Sequence, residues 1–191
     1  MRSLLFMSLG ALLIGPALAD NATPQMNATI QAAGQAYRGN LMTNQAAGDQ
    51  QQQVNARAIG AGDHSQTAIR VQQANTAIGN RTVDARASIG GAAYSQGSGV
   101  VGVNQGAGVA NQQINAFRLE LNAPPESLDD SALAQNAAPV TNSGVGVPQS
   151  GERTVEMDDG AFAGSRGVVQ LNQSAGVGNR TANNLSIRVV D

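Results

Sequence analysis

Residues that suit a buried strand face recur at every second position in three stretches of this 191-residue chain. Ahead of an Asn-Gln pair, Leu41 and Thr43 correspond to Val101 and Val103 and to Val169 and Leu171, two residues apart and so on one face of an extended strand. Beyond a following glycine the alternation resumes. One face carries Gln53, Asn55, Arg57 and Ile59, or Gln113, Asn115, Phe117, Leu119 and Leu121, or Thr181, Asn183, Leu185, Ile187 and Val189. In the last stretch Ala182, Asn184, Ser186 and Arg188 take the opposite face. Period two predicts strands, and Gly48, Gly108 and Gly176 between them supply a bend that a Cβ would resist. The predicted unit is strand, turn, strand.

The joining segment is itself a repeat. Asn44-Gln45-Ala46-Ala47-Gly48 with Asn55, Asn104-Gln105-Gly106-Ala107-Gly108 with Asn115, and Asn172-Gln173-Ser174-Ala175-Gly176 with Asn183 share one spacing without an internal gap. Self-similarity of this kind marks stacked supersecondary units. The repeats are set at residues 38–61, 98–121 and 166–191. Residues 1–19, with Arg2, an apolar run from Leu4 to Leu18 and Ala17-Leu18-Ala19 at the end, fit a secretory signal peptide. Residues 20–37, rich in Ala, Asn, Gln and Thr, are expected to be a flexible lead-in.

Residues 62–97 are read as a linker holding a degenerate unit, because Asn80 to Ala85 mimics Gln51 to Ala56 and Ser88-Ile89-Gly90 mimics Ala58-Ile59-Gly60. Residues 122–165 change character. They hold Pro124, Pro125, Pro139 and Pro148, and eight of the thirteen acidic residues fall between Glu120 and Asp159. Proline cannot donate to a ladder and like charges resist stacking, so a disordered or looped-out linker is expected there.

A single repeat cannot hold itself together. Burying one large apolar side chain contributes about 1.5–3 kcal/mol, and repeat two has few of them. Ordering each backbone residue costs about 1–2 kcal/mol, and many more residues must be ordered. If repeats are laid on one another in register, every backbone amide gains a partner and like side chains meet like. Asn44, Asn104 and Asn172 would then form one amide ladder, Gln45, Gln105 and Gln173 accompany it, and Asn55, Asn115 and Asn183 form another. With Gly48, Gly108, Gly176 and Phe117 these residues are the expected amyloid-core ladder. The fold class expected is all-β, imperfect strand-turn-strand repeats stacked as a β-solenoid or cross-β amyloid with flexible linkers. The free monomer is expected to be disordered, and terminal layers left as open edges recruit further chains.

Composition supports assembly over chemistry. Trp and Cys are absent, so neither a large aromatic core nor disulfides can compensate for an Ala-rich apolar content. All eleven basic residues are Arg, singly spaced in a chain of net charge −2, which argues against nucleic-acid binding. His64 is the only histidine and has no Cys beside it, so no catalytic residue, metal site or cofactor is expected. Glu156, Asp158 and Asp159 lack the spacing of a Ca²⁺ loop and read as linker charges. The glycines of Gly102 to Gly108 lack the Lys-Ser/Thr of a phosphate loop. Arg57, Arg118 and Arg188 read as solubilising rim charges.

The runs Gly99 to Gly108 and Gly167 to Gly176, with Asn111 to Ala116, resemble the Fap functional amyloid subunits FapB and FapC, exported bacterial proteins with three imperfect repeats and two linkers. The resemblance spans nearly all of the mature chain. It implies an extracellular fibre that supports biofilms, with self-association, a major amyloid subunit and an outer-membrane export pore as partners. The short chain is most like FapB, the minor, nucleating subunit; some members carry a Cys-x-x-Cys that this chain lacks. The alternative function is a periplasmic chaperone-like accessory protein of the same assembly system. A β-helix polysaccharide lyase would need longer rungs and a cluster of Arg, Lys and carboxylates.

Overall fold

The computed structural model describes residues 22–62, 67–75, 82–121, 136–137 and 150–189. Its strands, in chain order, are β1 (Gln25–Gln31), β2 (Arg38–Ala47), β3 (Gln52–Ala61), β4 (Gln72–Gln73), β5 (Asp84–Gly90), β6 (Ser98–Val109), β7 (Gln112–Leu121), β8 (Asn136–Ala137), β9 (Arg153–Met157), β10 (Arg166–Val177) and β11 (Arg180–Val189). Three parallel sheets have the orders β1-β5-β9, β2-β6-β10 and β3-β7-β11, and β4 pairs with β8 in a fourth. Each of the three repeats thus gives one strand to the β2-β6-β10 sheet and one to the β3-β7-β11 sheet, and the segment before it gives one to the β1-β5-β9 sheet. β1 to β3 form tier 1, β5 to β7 tier 2 and β9 to β11 tier 3. The signal segment and His64 lie outside the described residues.

The repeating unit has three strands where two were expected. Gln25–Gln31, within the expected lead-in, is β1. Asp84–Gly90 does not pair with β3; it pairs with β1, Ala28 opposite Ala87 and Ile30 opposite Ile89. Arg153–Met157, within the expected acidic linker, is β9 and continues the same sheet. The acidic side chains are compatible with a strand because they face out. Glu156 is exposed and paired with Arg86, while Asp158 follows the strand and accepts from the amides of Gly160 and Gly91.

The three sheets lie in layers with β2-β6-β10 in the middle. Odd-numbered side chains of β6 face the β1-β5-β9 sheet, where Val101 and Val103 pack with Ile30, Ile89, Tyr37 and Tyr94, and Ala107 packs with Ala28, Ala85 and Ala87. This is the apolar core. The even face of β6 holds Gly102, Asn104, Gly106 and Gly108 against the β3-β7-β11 sheet, so that second interface is polar and close. Because tier 2 is covered above and below and lies between layers, β6 is buried on both faces from Val101 to Val109 and its alternation disappears. Burial by itself would have hidden the period that the sequence shows.

Between the first two strands of each tier the chain rounds an arc. Tyr94 and Phe162 occupy equivalent positions of tiers 2 and 3, and their rings stack with centroids 5.1 Å apart. Tier 1 has Gly34 there, and a Cβ on it would lie 2.6 Å from the Tyr94 ring. An aromatic column capped by a glycine closes this end of the core.

Candidate functional site

Parallel in-register pairing sets Asn44 beside Asn104 and Asn104 beside Asn172, with Gln45, Gln105 and Gln173 next to them. The adjoining sheet sets Asn55, Asn115 and Asn183 in line in the same way. The side chains make three continuous ladders. Asn104 Nδ2 donates to Asn44 Oδ1 at 3.0 Å and Asn172 Nδ2 to Asn104 Oδ1 at 2.9 Å. Gln105 Nε2 donates to Gln45 Oε1 at 2.8 Å and Gln173 Nε2 to Gln105 Oε1 at 2.9 Å. Asn115 Nδ2 donates to Asn55 Oδ1, and Asn183 Nδ2 to Asn115 Oδ1, both at 3.0 Å.

The two asparagine ladders are also cross-linked within each tier. Asn55 donates to Asn44, Asn115 to Asn104 and Asn183 to Asn172, at 2.8–3.0 Å. The same amide nitrogens also lie within hydrogen-bond distance of backbone carbonyls across the layers, Asn104 of Val54, Asn115 of Val103, Asn172 of Ile114 and Asn183 of Leu171, so that where three acceptors surround one nitrogen its two hydrogens are shared among them. The glutamines turn the other way, Gln105 to Ala28 and Ser88, Gln173 to Ala87 and Glu156. The ladders therefore tie three sheets into one body. Asn104, Gln105 and Asn115 are at most 1 % exposed, and that burial is tolerable only because their amides are satisfied. Each such bond contributes about 0.5–1.5 kcal/mol net, whereas an amide buried without partners costs about 1–3 kcal/mol. Register is thereby enforced, since a slip opposes an amide to an apolar residue.

Gly48, Gly108 and Gly176 stack at the turn with φ of 104°, 115° and 123°. A Cβ on Gly48 would lie 2.0 Å from the Gly108 carbonyl oxygen, and one on Gly108 1.9 Å from that of Gly176. The turn bends, and the tiers also approach too closely there for any side chain. A second column, Gly39, Gly99 and Gly167, follows the same rule at the start of the middle sheet: a Cβ on Gly99 would meet the Gly39 oxygen at 2.0 Å and one on Gly167 the Gly99 oxygen at 2.1 Å. That column was not among the expected site residues. Its signal was present as a glycine two residues before each Leu41, Val101 and Val169.

Phe117 is 2 % exposed and lies between Arg57 and Leu185 in its sheet. Arg57 is a brace, not a rim charge, donating to the carbonyls of Val100 and Leu41 and to Asn40 Oδ1. Arg118 and Arg188 also depart from the rim role. Both flank Glu120, which is 4 % exposed, at 3.9 Å. Glu120 Oε1 accepts from the backbone amide of Thr67 at 2.7 Å and from its hydroxyl at 3.0 Å, and Arg118 Nη1 donates to the Thr67 carbonyl. The Thr67 amide, then its hydroxyl and the two guanidinium groups, hold the Glu120 carboxyl below the usual carboxylate range, with burial opposing. This cluster pins the segment from Thr67 to Asn75 across β7, where Gln73 donates to the Gln113 carbonyl. Sequence reading missed it because Thr67 and Glu120 are distant in the chain.

Among the described residues no three His, Cys, Asp or Glu side chains are grouped to hold a metal ion. What the geometry offers is a periodic template of amides and backbone groups repeated tier by tier. A family model described as the functional amyloid protein FapB/FapC family matches residues 15–190. No solved structure matches the chain.

Proposed function

We propose, on the premise that the chain belongs to the functional amyloid FapB/FapC family, that it is a secreted amyloid subunit of the minor, nucleating kind in an extracellular fibre that supports biofilm formation. The family is one of structural amyloid proteins and makes this chain a functional amyloid subunit. The observation that carries the finer reading is the set of in-register ladders through Asn104, Gln105 and Asn115, which end on tiers 1 and 3, where no further strand pairs among the described residues. Open edges are templates for further pairing, and each tier repeats the previous one closely enough to serve as its own template. Three tiers are a β-solenoid too short to bury its ends, so the ordered state is reached on assembly. Asn44, Gln45, Gly48, Asn55, Asn104, Gln105, Gly108, Asn115, Phe117, Asn172, Gln173, Gly176 and Asn183 then form the fibre core.

A nucleator needs to present a finished template before the bulk subunit has one. The short chain, most like the minor subunit, favours that role. Export proceeds through the signal segment at residues 1–19 and a dedicated outer-membrane pore. The test has two arms. Purified mature chain should pass from disordered to β-rich fibres after a lag, with a meridional fibre reflection near 4.7–4.8 Å. Trace amounts should shorten the lag of the major subunit of the same fibre. Chain that stays monomeric and disordered at high concentration sinks the fibre reading; fibres that do not seed the major subunit sink only the nucleator role.

A further inference from the structure

The two ends of the molecule are chemically different. In all three ladders the donor is the higher tier and the acceptor the lower, tier 3 to tier 2 to tier 1. Inverting an amide would not be neutral, because the same nitrogens also meet backbone carbonyls, which can only accept. The tier 1 end therefore presents amide N–H groups on Asn44, Gln45 and Asn55. The tier 3 end presents amide oxygens on Asn172, Gln173 and Asn183.

Packing at the ends is complementary too. Val155, Met157 and Val169 are exposed in tier 3, while their tier 2 counterparts Ala87, Ile89 and Val101 are at most 1 % exposed; Ile187 is exposed too, over a partly buried Leu119. Ile59 in tier 1 is half-exposed and shares a register column with Leu119 and Ile187. Gly39 adds a third mark. It keeps φ 81° and glycine, yet a Cβ on it would meet nothing within 4 Å, whereas its equivalents Gly99 and Gly167 each face a carbonyl of the preceding tier. The positive φ favours glycine on its own, and the open space beside Gly39 is what the carbonyl of a further tier would fill.

We infer that tier 3 of one copy docks on tier 1 of the next in the register used inside the chain, giving a polar fibre with an amide-donor end and an amide-acceptor end. The inference rests on the fibre-forming reading and specifies its joint. Contacts of tier 1 with tier 1 are disfavoured, since they oppose N–H to N–H and seat Ile59 against no matching partner. Head-to-tail contact is heterologous and does not close, so it propagates. It buries Val169 over Leu41 and Ile187 over Ile59, and sets Gly167 over Gly39 and Gly176 over Gly48. Among the described strand residues the one like-charge meeting is Arg166 over Arg38, both exposed and hence weakly felt.

The joint is tested with Ile59→Lys and Ile187→Asp, both at exposed positions, measuring seeded elongation of the full mature chain. Within one chain the two positions of this column are separated by Leu119, so a pairing of Lys with Asp is made only between copies. Each single variant should elongate on the order of tenfold slower than wild type, because it leaves a charge unpaired at the joint. The double variant should recover to within about threefold, and an equimolar mixture of the two singles should elongate faster than either alone. Recovery in the mixture also shows that both singles fold. A double variant no faster than the slower single, with a mixture no better than its parts, overturns head-to-tail docking. Wild-type chain that forms no β-rich fibre in the same assay overturns the fibre reading itself, so the two failures are distinguishable.

Discussion

Asn172 Nδ2 donates to Asn104 Oδ1 at 2.9 Å across 68 residues of chain, and Asn104 passes the bond on to Asn44. Side chains this far apart in sequence meet at one height because two β-strands carry them in the same register. A buried amide that both gives and receives is a rigid specification of alignment, whereas an apolar residue in its place would tolerate slippage.

Asn104→Ala removes the middle of that ladder and leaves Asn44, Asn172 and the Val54 carbonyl short of a partner. The expected loss is about 1–3 kcal/mol, read as a lower denaturant midpoint of the assembled protein. In the assembled fibre Asn44→Ala should cost a similar amount, because the next copy covers Asn44 as Asn172 covers Asn104 within the chain. A markedly smaller loss at Asn44 would count against that joint.

Gly108→Ala places a methyl 1.9 Å from the Gly176 carbonyl oxygen at a φ of 115°. Backbone cannot yield as a side chain does, so the variant should fail to assemble on the wild-type timescale. Gly178→Ala is the matched control: its φ is also positive, at 70°, but nothing lies within 4 Å. It should carry only the conformational cost of about 1–2 kcal/mol. Thioflavin kinetics on both variants separate tier spacing from turn conformation.

Phe117→Ala empties a site 2 % exposed between Arg57 and Leu185, and the expected cost is about 3–5 kcal/mol. Assembly should slow more than with a change in residues 122–135. Phe162→Ala should also be felt, since it removes the ring stacked on Tyr94 at 5.1 Å, although this residue falls in what the sequence suggested was linker. Similar lag times for Phe117→Ala and wild type would place β7 outside the core.

Glu120 makes the pinned segment pH-sensitive. Its pKa is lowered by the Thr67 amide first, so the folded state holds the carboxylate more firmly than the unfolded chain does. The stabilisation is present above the ordinary glutamate range and is lost as the pH falls through the lowered folded value. Hydrogen exchange at Thr67 to Asn75, corrected for intrinsic rates, should therefore rise in acid beyond that point. Glu120→Gln should show weaker protection at neutral pH and little further change on acidification. A flat profile in the unsubstituted chain rules the pin out as a titrating contact.

The amides and turn glycines of the second and third strands were legible in the sequence because alignment of like residues is both the pattern and the physics. Asn104 cannot be buried without Asn44 and Asn172, so their recurrence at one spacing already states who meets whom. The strand before them was not legible. Gln25–Gln31, Asp84–Gly90 and Arg153–Met157 share little identity, and apart from Ile30 and Ile89 their core-facing residues, Ala28, Ala85 and Ala87, are small, so repetition and hydrophobic amplitude mark them only weakly. They become strands because the inward face of β6, with Val101, Val103 and Ala107, must be covered and their own carbonyls accept from Gln45, Gln105 and Gln173. Sequence by itself set the register and the unit of repetition; tertiary structure decided how many strands a unit has, where the acidic side chains could face, and which end of the stack gives hydrogen bonds. The reason is that register is a local match of like with like, while layer closure and polarity depend on groups that the chain brings together only once it is folded.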